Sequence, residues 1–112
     1  MGTWGTGNFD CDEAMDLVGD LNKEVTNEMK EPEFVEDVDL VMAAVAIRLA
    51  LVRSCHASPP KRTEIEKLRR SVLKIYDEQI DGLSPKPDYK KGRRSVIDRT
   101  FRDFLKVLDE RP

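Results

Sequence analysis

The chain is 112 residues long, 39% hydrophobic, 37% charged and 6% aromatic, with a formal net charge of −3 and a pI near 5.2. A chain of this size buries one core, so a single domain over residues 1–112 is expected. No stretch reaches the ~18 consecutive apolar residues of a membrane span, and no basic segment runs into an apolar one as in a secretory signal. A cytoplasmic protein without membrane contact is therefore expected.

In that compartment Cys11 and Cys55 are expected to stay reduced. His56 is the sole histidine, too few to complete a Cys-His zinc site, and no metal or other cofactor is expected. The small net charge conceals a division along the chain. Up to Asp39, twelve carboxylates stand against Lys23 and Lys30 alone, whereas from Leu40 onward seventeen Lys and Arg outnumber ten acids. Such a split is either neutralised inside the fold or displayed to a partner.

The opening, Gly2-Thr3-Trp4-Gly5-Thr6-Gly7-Asn8-Phe9-Asp10, sets three glycines around the only tryptophan. Glycine permits tight turning and close backbone approach, and a docked Trp or Phe buries ~150–250 Å². The segment therefore predicts a latch, with Gly2, Gly5 and Gly7 turning the chain and Trp4 and Phe9 wedged against the helices. Two other readings compete with the latch. A glycine-rich amide nest binds anions, but this one lacks a lysine and carries Asp10, Asp12 and Glu13. Gly2 with Thr6 also fits an N-myristoylation pattern, without the polybasic run that stable anchoring needs.

Asp10 and Glu13 have capping-box spacing and predict a helix from Cys11. Ala14, Leu17, Val18, Leu21 and Val25 form its apolar stripe, ending near Glu28. Asp12, Asp16, Asp20 and Glu24 make a row at i, i+4 beside it. Pro32, in a first-turn position, predicts the start of a second helix running through Arg53. Its middle, Leu40 to Ile47, is apolar on nearly every side, which marks a central helix. Ala43, Ala44, Ala46 and Ala50 would allow close neighbours. Pro59-Pro60 closes it. Thr63 with Glu66 predicts a capped third helix with Ile65, Leu68, Val72, Ile75 and Tyr76 inward and Gly82 at its end. Ser84 to Asp88 reads as a stiff connection. A last helix sets Val96, Ile97, Thr100, Phe101, Phe104, Leu105 and Leu108 on one face. Four helices, short loops and no alternating strand pattern predict an all-α bundle.

The carboxylate row offers oxygen ligands to a hard cation, yet it lacks the glycine and distal glutamate of an EF-hand loop. A contiguous acidic face for a basic protein accounts better for so large an excess of charge. Its candidate partner-binding residues are Asp12, Glu13, Asp16, Asp20 and Glu24. Lys90, Lys91, Arg93 and Arg94 gather at or just before a helix N-terminus, where cations oppose the helix dipole. They either pair with the acidic region or contact a polyanion such as nucleic acid, although only Tyr89 is available for base stacking. Cys55-His56 lacks an orienting acid and an oxyanion loop, and no catalytic triad, Walker or dinucleotide pattern is present, so no catalytic residue is expected.

Gly2, Trp4, Gly5, Gly7, Phe9, Asp12, Ala14 and Asp16 follow G-x-W-G-x-G-x-F-x-x-D-x-A-x-D. This motif resembles the opening of a family of small bacterial proteins known chiefly as a domain of unknown function. The resemblance implies a bacterial, cytoplasmic, helical protein and brings no catalytic residue with it. Taken together, the residues predict a non-enzymatic protein-interaction module, an immunity or antitoxin-like inhibitor of a basic partner such as a toxin. A regulatory module binding a polyanion through Lys90 to Arg94 is the alternative.

Overall fold

The computed structural model describes residues 5–110. Gly2 and Trp4, two of the residues assigned to the latch, lie outside them. Four helices follow in order, α1 (Asp12–Glu28), α2 (Val38–Ser54), α3 (Arg62–Gln79) and α4 (Pro87–Asp109), with short 3₁₀ turns at Val35–Asp37 and Ile80–Leu83. There is no strand among the described residues. The all-α bundle follows from the 3.6-residue spacing of apolar positions in α3 and α4 and from the nearly all-apolar α2.

The packing is sequential, with α1 on α2 and α3 on α4, and α2 joins the pairs through α4. The core is built from Val45 and Val52 of α2, Val72 and Tyr76 of α3, and Ile97, Phe101 and Phe104 of α4, all at most 2% exposed. Tyr76 is buried with its polar end satisfied, its hydroxyl donating to the Lys90 carbonyl at 2.8 Å.

Several element ends depart from the sequence reading. Asp10 does not cap α1. Cys11 is the N-cap and makes no side-chain cap bond, because the Asp10 carboxylate accepts from the Gly7 amide at 2.9 Å instead. A Cβ on Gly5 or Gly7 would meet Asp10 Oδ2 at 2.5 and 2.7 Å, so these glycines let the loop close around the carboxylate. The loop amide is thus satisfied by the chain's own acid, and Phe9 packs on the edge of the core.

The second helix does not start at Pro32. Residues 29–34 stay irregular and α2 begins at Val38. Gln79 explains the delay: its Oε1 accepts from the Val35 amide at 2.9 Å, and its Nε2 donates to the Glu33 carbonyl at 3.1 Å. At the other end, His56 adopts a left-handed φ of 61°, and the Cys55 and Ala57 amides both donate to the Leu51 carbonyl. This reversal ends α2 at Ser54, five residues before Pro59 and one beyond the expected Arg53.

The Thr63–Glu66 box is also absent. Lys61 is the N-cap of α3, so Thr63 falls inside the first turn, and Glu66 instead takes Arg62 Nε at 2.8 Å. Gly82 lies within a 3₁₀ turn, and it is Ser84, with φ 51°, that redirects the chain. Pro87 then opens α4 at its first turn, where its missing amide costs nothing. On α4, Val96 is 39% exposed rather than inward.

Candidate protein-docking site

On α1 the sequence and the structure disagree about which apolar residues are buried. The predicted stripe counted Leu17 and Leu21 as core, but they are 60% and 41% exposed, and Val18 is the only fully buried residue of the helix. Val25 and Met29 pack on the edge of the core. The buried side of α1 therefore steps through Met15, Val18, Asn22, Val25 and Met29, in three- and four-residue strides. Leu17 and Leu21 fall about a quarter turn round from that line, where α2 no longer covers the helix.

The acidic residues complete this outer surface. Asp12, Glu13, Asp16, Asp20 and Glu24 are all exposed. Among the described residues, Glu13, Asp16, Asp20 and Glu24 make no ion pair. Two leucines thus stand in a field of unneutralised carboxylates along one helix. The apolar character continues onto α2, whose exposed positions from Leu40 to Ala50 are Leu40, Ala43, Ala46, Ile47 and Ala50, none of them charged. Leu40 and Ile47 are 59% and 49% exposed. Glu28, Phe34 and Leu40 line one groove where the last turn of α1 meets α2, which connects the two surfaces. Sequence reading missed this α2 face. A uniformly apolar helix gives no clue to which side is left uncovered.

The basic cluster is arranged differently. It lies inside α4, beginning three residues after Pro87, and most of its charge is consumed by the fold. Lys90 Nζ reaches Asp81 Oδ1 at 2.6 Å, and Arg93 Nη2 reaches Asp39 Oδ1 at 2.8 Å. Arg94 grips Asp77 with two bonds of 2.8 and 3.0 Å. That fork holds the Asp77 carboxyl below its ordinary range, first through the hydrogen bond and then through the guanidinium charge. Lys91 is exposed. Of these partners only Asp39 comes from the acid-rich first part of the chain, so the excess of negative charge there remains on the surface.

The two cysteines are free thiols, each half-buried. His56 Nε2 lies 3.5 Å from Asp10 Oδ1, which brings the end of α2 to the glycine loop. Among the described residues, no three His, Cys, Asp or Glu side chains gather as a metal ion would require. No described helix is long and apolar enough to cross a membrane.

Fold and surface together define a small all-α bundle with one strongly acidic helix. The chain matches the family model described as Domain of unknown function (DUF4259) over residues 2–110 and belongs to that family. No curated protein and no solved structure matches it.

Proposed function

We propose that the chain is a non-enzymatic binding protein that docks a basic partner protein on the outer surface of α1. The observation that carries this reading is the exposure of Leu17 and Leu21 among carboxylates that the fold leaves unpaired. Apolar anchors ringed by charge are the usual anatomy of a protein interface: desolvated side chains at the centre supply affinity, and the surrounding charge accelerates encounter and rejects partners of the wrong sign. An immunity or antitoxin-like role in the bacterial cytoplasm fits such a surface, the partner being a basic toxin. The ion pairs of Lys90, Arg93 and Arg94 favour a structural role for the basic cluster over contact with a polyanion.

The test is capture of the tagged chain with its bound protein from the native host at moderate salt. Wild type retains one basic protein. Asp16→Lys combined with Asp20→Lys weakens the complex at least tenfold, chiefly by slowing association, and Leu17→Asp weakens it by speeding dissociation. Lys91→Glu leaves it unchanged. Undiminished binding by the charge-reversed chain overturns the reading.

A further inference from the structure

Arg48 stands in the middle of α2 and is only 8% exposed, the one charged residue among the described residues that is buried. Burying a guanidinium is costly unless a carboxylate and a full set of acceptors compensate it, and here no carboxylate lies within ion-pair distance and the acceptor set is incomplete. Its Nε has no hydrogen-bond partner, and its Nη1 contacts only the soft Met29 sulfur at 4.0 Å. Burial holds its pKa below the ordinary arginine value, partly offset by the charge of nearby Glu64.

This arginine lines a half-open pocket of about 200 Å³ between α1, α2 and α3. At ~30 Å³ per water, that is space for roughly six or seven non-hydrogen atoms. Met29, Pro60, Ile65 and Leu68 give the pocket apolar walls, while Glu31, Glu64 and Lys67 stand around it. Glu31 is engaged with Ser71 at 2.9 Å and lies 3.9 Å from Lys67, and Glu64 offsets the guanidinium charge only in part, with no ion pair formed between Arg48 and either glutamate.

We propose that this pocket is a binding site for a small aliphatic monocarboxylate, whose carboxylate pairs with Arg48 and whose short tail packs on Ile65 and Leu68. A planar guanidinium fork is matched by the two oxygens of a carboxylate. The two rim glutamates repel a dianion such as phosphate more strongly than a monoanion, Arg48 and Lys67 balance them, and the apolar walls favour a ligand with a hydrocarbon tail over a bare inorganic anion. The site lies on the α3 side of α2, apart from the exposed leucines of α1, and does not depend on the docking proposal.

The experiment is a titration of the full chain with butyrate, followed by amide and arginine Nε–H resonances at constant ionic strength. 1-Butanol and butylammonium serve as isosteric controls. Saturable shifts at Met29, Ile65, Leu68 and the Arg48 Nε–H are expected, with Kd on the order of 1 mM for a ligand of this size. Both controls should give none. Arg48→Met should abolish the saturation. Lys67→Glu reverses a charge at the pocket rim on a side chain that is 70% exposed, and it should weaken binding severalfold. Arg48→Lys keeps the charge without the fork and should also weaken it. Non-saturable shifts, equal shifts with 1-butanol, or binding unchanged in Lys67→Glu and Arg48→Lys would each overturn the proposal, even if Arg48→Met fails to fold.

Discussion

Asp98 binds two arginines at once. Its Oδ1 accepts from Arg69 Nη2 at 2.7 Å and Nε at 3.2 Å, and its Oδ2 lies 3.1 Å from Arg102 Nε. The Arg69 hydrogen bond is the main cause holding its carboxyl below the ordinary range, with the charges of Arg69, Arg102 and Arg94 adding to it. Because the folded pKa is below the unfolded value of ~3.9, the contribution to stability is complete above about pH 5. It is lost as pH falls through the unfolded and then the folded pKa. Asp98→Ala should cost about 1–2 kcal/mol at pH 7, more than a typical exposed pair because one half-buried carboxylate holds two arginines. Urea melts of both chains at pH 7 and pH 3 check this, with the difference between them shrinking at the lower pH. Asp10 is the contrasting residue. Its distance from Glu13 in sequence reads as a cap, but the folded loop brings the Gly7 amide to the carboxylate first. Local spacing shows which bonds a side chain can make, and tertiary placement selects among them.

At the scale of elements, Gln79 is the last residue of α3 and the clamp on the segment before α2. Replacing it with Ala leaves the buried Val35 amide without an acceptor, at a cost of about 1–2 kcal/mol. Hydrogen exchange at Val35 should accelerate accordingly. Gln79→Glu preserves the acceptor and should protect that amide better than Ala does. Exchange at Val35 unchanged in Gln79→Ala would show that the clamp does not hold the turn. The existence of all four helices was legible from apolar spacing and proline positions, but several of their ends were not. Pro32 is chemically suited to open a helix, yet a side chain 44 positions away in sequence holds Val35 in a 3₁₀ turn. The acidic candidate residues of α1 were legible as exposed. Leu17 and Leu21 were not, because an apolar residue on an amphipathic helix reads as core whether or not another helix covers it.

Over the whole molecule the bundle is long, 53 × 24 × 24 Å, with a radius of gyration of 16.0 Å against ~13 Å for a compact chain near 100 residues. Sequential pairing of the helices produces this length and leaves α1 with one neighbouring helix as its main support. With Val18 its only fully buried residue, α1 should open at lower free energy than the rest. Its amides should exchange by sub-global unfolding, while those around Val72 and Phe101 exchange only with global unfolding. Equal protection in α1 and α4 would contradict this. A docked partner on α1 should slow its exchange selectively, since binding to the closed helix penalises opening.

By itself the sequence determined the all-α class, the four helices, the acid-rich surface of α1 and the hydrophobic content of α2, because periodicity, helix breakers and charge are carried locally along the chain. Only the tertiary structure decided that the basic cluster is neutralised largely by Asp39, Asp77 and Asp81, that α2 keeps an apolar face uncovered, and that Arg48 is buried without a carboxylate partner. Burial and ion pairing depend on which surfaces meet, and that follows from how helices distant in sequence pack against one another.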